Sequence, residues 1–143
     1  QALEDMVTCL KPGGRMLHKI DLRDHGMFTP YHQELTFLTF PGSLHRLMTR
    51  NSGRPNRVLW HQYRDLLDRL HKDGLVEYQA YITRLVGVGD LEPHQLFEEI
   101  PASLWRQATE AVDRSRKFFS HEFAKVDSRD LAVAGIFGVV TKQ

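Results

Sequence analysis

The sequence predicts an α/β domain built on a sheet of three strands, and three observations support this. A Pro12-Gly13-Gly14 turn separates a helical pattern from a short apolar strand. A near-continuous apolar run at residues 131–140 is typical of a strand covered on both faces. Between these segments, helical and alternating patterns follow one another along the chain, as they do in α/β domains.

The N-terminal part of the chain predicts a helix and then a strand. Residues 1–10 place apolar side chains at the spacing of an amphipathic helix. The Pro-Gly-Gly turn ends this helix, because proline has a fixed φ and glycine readily adopts a positive φ. Residues 15–22 follow as a strand with apolar residues on both faces.

Residues 26–57 predict a helical insertion over the end of this strand. Residues 35–40 are interpreted as a helical turn that leads into a helix from Ser43 to Thr49, with Ser43 as its N-cap. Aromatic and arginine side chains alternate in this segment. They indicate a lid that holds an anionic substrate group, or else a packed insertion whose arginines face water.

The C-terminal part predicts two strands and three helices. The longest helical pattern is closed by Gly74, which suits the left-handed position after a helix. The run at 131–140 is the most apolar strand, so we expect it in the centre, between the other two. The predicted elements are a helix at 57–73, a strand at 76–88, a short helix at 93–99, a helix at 103–123 and the strand at 131–140.

A glycine-containing turn, Val86-Gly-Val-Gly-Asp90, has the superficial look of a phosphate- or nucleoside-binding loop. A single Gly-x-Gly is weak support for such a site. We therefore interpret the two glycines as the means by which the chain leaves a strand.

Composition excludes several function classes. The 19 basic and 18 acidic residues give a net charge of +1, which does not favour nucleic acid or a membrane surface. No apolar run is long enough for a spanning helix. The single cysteine, Cys9, excludes an internal disulfide and predicts a cytoplasmic location.

The candidate functional residues cluster where the strand at 15–22 ends. Ligands of open α/β sheets bind beyond the carboxyl ends of the strands. His25 is a candidate general base there, and the remaining side chains are candidates for orienting a substrate. The alternative is a solvated strand end with an Asp-Arg ion pair. The cluster consists of Asp21, Arg23, Asp24 and His25.

A metal triad of His18, Asp21 and His25 is suggested by their spacing, but strand geometry argues against it. His18 and Asp21 are three residues apart, so their side chains point to opposite faces of a strand. No metal site is predicted.

Several of these segments carry a family resemblance. Leu10-Lys-Pro-Gly-Gly-Arg15 before an apolar strand resembles the turn before the fifth strand of class I S-adenosylmethionine-dependent methyltransferases. His18-Lys-Ile-Asp-Leu-Arg-Asp-His25 resembles a bacterial subgroup that ends this strand in Ile-Asp-Leu-x-Asp-His. Asn56-Arg57, a helix ending at Asp73-Gly74-Leu75 and an apolar terminal strand fit the same order of elements.

The resemblance implies that residues 1–143 form a single partial domain, the C-terminal half of a Rossmann-like methyltransferase fold. Its sheet would be three-stranded and mixed, with the last strand antiparallel between the other two. The family binds S-adenosylmethionine with elements that have no counterpart here, so the cofactor is expected only in the intact protein, and this part alone is expected to be inactive. The expected substrate-binding residues are Asp21, Arg23, Asp24, Asn56 and Arg57, with His25 as the expected catalytic residue.

A second interpretation is a non-catalytic protein-interaction domain that uses the helical lid and an exposed sheet edge. Without the family's first four strands, the strand at 15–22 has an unpaired edge. Such edges recruit other strands. We therefore expect self-association along this edge, unless the chain covers it with its own segments.

Overall fold

The computed structural model describes residues 2–24, 34–51 and 57–143. These residues form an α/β arrangement of five α-helices and four strands. The helices are α1 (Ala2–Cys9), α2 (Gly42–Thr49), α3 (Trp60–Lys72), α4 (Ala102–Arg116) and α5 (Ser128–Ala132). The strands are β1 (Arg15–Asp21), β2 (Val76–Leu85), β3 (Gly89–Leu96) and β4 (Val133–Lys142). Single 3₁₀ turns lie at Thr36–Leu38 and Phe97–Glu99.

The strands form one open sheet in the order β1-β4-β2-β3. β4 is antiparallel to both β1 and β2, and Phe137 lies opposite Lys19 on one side and Tyr81 on the other. β1 and β2 therefore run in the same direction with β4 between them. The predicted central position of the terminal strand is confirmed.

The expected three-stranded mixed sheet is wrong in two respects: β3 adds a fourth strand, and the sheet is antiparallel. Every strand pairing among the described residues is antiparallel. The short helix predicted at 93–99 is replaced by the end of β3 and a single 3₁₀ turn. Half of the eight residues of β3 are exposed and one is buried, so the strand lacks the apolar alternation that identifies a strand from sequence.

The β2–β3 turn contains the two glycines of the Val86–Asp90 segment. Gly87 and Gly89 have φ of +69° and +107°, values that other residues adopt only with strain. Leu85 lies opposite Gly89 in the hairpin. The glycines reverse the chain after a strand, as predicted.

Helix boundaries differ from the predictions at several places. The helix predicted at 57–73 begins at Trp60, and an unpredicted helix, α5, takes up the first two residues of the strand predicted at 131–140. α2 begins at Gly42, so Ser43 is inside the helix and is not its N-cap. The Gly42 N–H instead donates to the Glu122 carboxylate at 3.1 Å, a contact across eighty residues that a local pattern cannot reveal. α4 ends at Arg116, short of the predicted Phe123.

Two apolar clusters hold these elements together. α1 and α3 pack on one face of the sheet through a cluster near the amino ends of β1 and β2; its members include Leu3, Val7, Leu67, Leu70, Val76 and Val140. A larger cluster joins α4, α5 and the 36–40 segment to the other end of the sheet; its members include Phe37, Leu38, Ile82, Leu85, Trp105 and Ile136. The second cluster lies where β1 and β2 end.

None of the described helices is long and apolar enough to cross a membrane.

Candidate functional site

β1 and β2 end at the same edge of the sheet, and β4, which lies between them, begins there. Asp21 of β1 lies opposite Gly135, and Leu85 of β2 lies opposite Val133. We call this end of the sheet the carboxyl edge. Because β4 runs in the opposite direction, α5 precedes it at the same edge. The site predicted from sequence therefore lies among α5 and the segments that follow β1 and β2.

Asp21 and Arg23 form a two-point ion pair at the end of β1. Arg23 Nη2 and Nε donate to Asp21 Oδ2 and Oδ1 at 2.5 and 2.9 Å. The Arg23 backbone N–H also donates to Oδ1, at 3.0 Å. The hydrogen bond to Asp21 raises the pKa of the Arg23 guanidinium above its ordinary value. Asp21 and Arg23, both predicted to bind substrate, therefore form the Asp-Arg ion pair that the alternative interpretation of this strand end expects.

Asp24 is buried beside this pair, and its backbone N–H donates to the Glu34 carbonyl oxygen at 2.9 Å. His25, the predicted catalytic residue, lies outside the described residues.

A second ionic group, missed in the sequence, joins β2 to the segment after β1. Arg84 Nε donates to Glu34 Oε1, and Arg84 Nη1 donates to Asp90 Oδ1, both at 2.9 Å. These bonds to Glu34 and Asp90 raise the pKa of Arg84. Glu34 Oε2 accepts the Gly87 backbone N–H at 3.0 Å. The Glu34 carboxylate therefore fixes the segment after β1 to the β2–β3 turn.

The Gly87 turn is packed against protein. A Cβ added at Gly87 would lie 2.6 Å from the Ala111 Cβ on α4, and its N–H is occupied by Glu34. The backbone of this turn does not form an open cradle for a phosphate or a nucleoside.

Arg57 joins the 36–40 segment to the region after α4. Its Nη2 donates to the carbonyls of Phe37 and Phe40 at 2.7 and 2.5 Å, and its guanidinium carbon lies 5.1 Å from the centre of the Phe123 ring. Nη1 contacts the Glu122 carboxylate at 3.3 Å. Burial lowers the pKa of Arg57. These contacts favour a positioning role over direct contact with a substrate. Asn56 lies outside the described residues.

Two cavities adjoin the ionic residues. One, of about 710 Å³, lies between the 34–39 segment and α4 and is mostly apolar. Its wall includes Glu34, Thr36, Val86, Arg114, Phe118 and Phe119. A smaller cavity of about 240 Å³ is polar and is bordered by Asp21, Arg23, Arg84, Asp90 and His94. The larger cavity has the apolar walls and the few polar groups that are typical of small-molecule sites.

A third cavity lies where α3 begins. It is about 660 Å³ in volume and contains a contact between the His61 ring on α3 and the carboxylate of the buried Asp130 on α5. Sequence reasoning missed this pair, because the two residues are 69 positions apart and neither belongs to a motif.

The described residues contain no group of three or more histidine, cysteine or acidic side chains placed to hold a metal ion. The ionisable groups of the carboxyl edge can instead orient a polar or charged ligand beside an apolar wall. Comparisons of the chain with models of protein families, with curated proteins and with solved structures find no match.

Proposed function

We propose that this chain is the acceptor-binding part of a Rossmann-like, S-adenosylmethionine-dependent methyltransferase. The observation that carries the proposal is the position of β4, antiparallel between two strands that run parallel to each other. In the methyltransferases that the sequence resembles, the last strand is inserted in this way between the fifth and sixth strands. An antiparallel strand between two strands of common direction requires a specific chain path, so it is a stronger indication than strand content alone.

Two further features support this proposal. The Pro-Gly-Gly turn leads into β1, and the charged cluster follows at the strand's carboxyl end, where α/β sheets bind their ligands. The cavity of about 710 Å³ lies at the same end, between the insertion and α4. We assign the methyl acceptor to this cavity, with Glu34 and Arg114 as its polar contacts.

The described residues do not form a site for S-adenosylmethionine. The family's glycine-rich turn has no counterpart here, and the one turn of similar appearance is closed by Glu34 and Ala111. In the proposal, the cofactor is held by elements of the intact protein outside this part. The contribution of the present residues is to bind and orient the acceptor and to exclude water from it. A cytoplasmic location is part of the same proposal.

Calorimetry with S-adenosylmethionine tests the proposal. The titration is performed on this chain and on the polypeptide obtained by adding the codons that precede Gln1 in the gene, with ATP as a control nucleotide. We expect the longer polypeptide to bind S-adenosylmethionine and not ATP, and this chain to bind neither. Failure of the longer polypeptide to bind S-adenosylmethionine would contradict the proposal.

The second candidate function is protein interaction through the sheet edge. β1 pairs with β4 on one side, and no other strand among the described residues pairs with it. Leu17 on this strand is 66% exposed. A strand at a sheet edge presents unpaired backbone groups, which are a template for another strand. Self-association through this edge is the form of interaction that we propose.

A further inference from the structure

The cavity at the start of α3 brings together a histidine-carboxylate pair, two arginines and an aromatic wall. It lies between the first turn of α3, the 3₁₀ turn at Phe97–Glu99 and the beginning of α5, and its volume is about 660 Å³. None of its residues belongs to the ionic groups around Asp21 and Arg84. The six side chains that matter are Trp60, His61, Arg64, Phe97, Arg129 and Asp130.

The buried Asp130 carboxylate holds the His61 ring in one orientation. Asp130 Oδ1 accepts the His61 backbone N–H at 2.6 Å, and Oδ2 contacts the ring nitrogen Nδ1. Asp130 is itself fixed, because Asp127 caps α5 by accepting the backbone N–H groups of Arg129 and Asp130. A carboxylate accepts hydrogen bonds, so Nδ1 carries the proton of this contact, and in the neutral form of the ring Nε2 is then an acceptor.

This arrangement exceeds what capping α3 requires. Oδ1 alone satisfies the backbone N–H at the start of the helix. The second carboxylate oxygen orients a ring whose side chain is 40% exposed and which borders the cavity. A carboxylate bound to one ring nitrogen sets which nitrogen is free to meet a ligand. The ligand group that matches a bare Nε2 is a hydroxyl donor.

Two guanidinium groups border the same cavity. The Arg129 guanidinium carbon lies 5.5 Å from the centre of the Trp105 ring, and that stacking holds the side chain in place. Arg64 is exposed and makes a long contact of 3.4 Å with its neighbour Asp65. The carboxylates of Asp127 and Asp130 are engaged by α5 and His61. The arginines can therefore receive an anionic group of a ligand.

The aromatic wall consists of Trp60 and Phe97, whose rings are stacked with centres 5.9 Å apart and planes 19° apart. Trp60 is buried, and its Nε1–H has no hydrogen-bond partner within the described part of the chain. The flat wall suits a planar ring.

We propose that this cavity binds a small aromatic hydroxy acid. The ligand's hydroxyl group donates to His61 Nε2, its carboxylate lies between Arg64 and Arg129, and its ring lies against Phe97. Ligand binding at this cavity does not require methyl transfer or S-adenosylmethionine. Its ligand class is set by the three features of the wall: an acceptor nitrogen, two cations and stacked aromatic rings.

Nuclear magnetic resonance of this chain tests the site with 4-hydroxybenzoate as the probe. Benzoate lacks the hydroxyl group, and 4-hydroxybenzyl alcohol lacks the carboxylate. We expect 4-hydroxybenzoate to shift the His61 Nε2 and Trp60 Nε1–H signals, and each analogue to bind about tenfold more weakly, as the loss of one buried polar contact predicts. Long-range ¹⁵N spectra should show the proton of free His61 on Nδ1.

Two variants separate the contributions. His61→Gln and Arg129→Gln should each weaken 4-hydroxybenzoate binding about tenfold, while Arg106→Gln, an exposed change on α4, should leave it unchanged. Absence of binding at millimolar probe, equal binding of benzoate, or an Nε2-protonated His61 would each overturn the proposal. None of these results depends on whether the intact protein binds S-adenosylmethionine, so the two proposals fail separately.

Discussion

Arg84 Nε donates a hydrogen bond of 2.9 Å to Oε1 of Glu34, which lies fifty positions earlier in the chain. This bond joins β2 to the segment that follows β1, and Glu34 reaches the Gly87 N–H with its other oxygen. The cavity assigned to the acceptor lies against the same carboxylate. Glu34 thus both borders that cavity and positions two of its walls.

Replacement of this carboxylate tests its positioning role. Glu34→Gln removes the charge that faces Arg84, and we expect the free energy of unfolding to fall by about 1 kcal/mol, because both partners are partly exposed to solvent. Urea unfolding measures the change, and Glu99→Gln, an exposed carboxylate of the 3₁₀ turn, serves as the control. Equal stability of the two variants would show that the bond has no positioning role.

Tyr78 makes the stability of the protein sensitive to alkali. Burial and a hydrogen bond of 2.5 Å to Asp68 raise the pKa of the Tyr78 phenol above its ordinary value of about 10. The folded state therefore holds the phenol proton more tightly than the unfolded state does. This contribution is fully present below pH about 10 and is lost as the pH rises above it.

The variant Tyr78→Phe isolates that effect. We expect the parent protein to lose stability more steeply than Tyr78→Phe when urea unfolding is measured between pH 9 and 11. Tyr81→Phe is the matched control, because the Tyr81 hydroxyl donates to the neutral Gln79 and not to a carboxylate. Identical slopes for the parent and Tyr78→Phe would contradict the expectation.

Alanine substitutions at two glycines of nearly equal φ distinguish the cost of backbone strain from the cost of a steric clash. Gly74 has a φ of +70° with no atom within 4 Å of an added Cβ, whereas Gly87 has a φ of +69° with the Ala111 Cβ at 2.6 Å. Gly74→Ala should cost about 1 kcal/mol from the left-handed backbone alone. Gly87→Ala should cost roughly 1–3 kcal/mol more, because α4 has to move. Equal losses in thermal or urea unfolding would show that α4 yields without cost.

The outer edge of β1 predicts concentration-dependent association. A lysine placed at the 66% exposed Leu17 should weaken strand addition, because charge on an edge strand opposes pairing with another copy. Sedimentation equilibrium of the parent and Leu17→Lys measures this difference. Leu47→Lys, at a site 68% exposed on α2, controls for a general gain in solubility. A parent protein that stays monomeric at high concentration would contradict the proposal of self-association through this edge.

Local patterns in the sequence are sufficient for most of the fold. Amphipathic spacing located α1 and α3, the Pro-Gly-Gly turn located the start of β1, and the apolar run located β4 and its central place. These elements depend on interactions within a few residues or on total apolar character, both of which are visible in a linear sequence. β3 was missed because half of its residues are exposed and its apolar residues do not alternate, and it is a strand through its pairing with β2.

The sequence by itself determined that charged residues follow β1 and that Asp21 and Arg23 stand two positions apart, close enough to pair. Only the tertiary structure decided that Arg84 meets Glu34, that Arg57 binds the carbonyls of Phe37 and Phe40, and that Asp130 holds His61. The physical reason is sequence distance. These partners lie 17 to 69 residues apart, and the packing of the 34–40 segment, α4 and α5 around the ends of the strands brings them into contact.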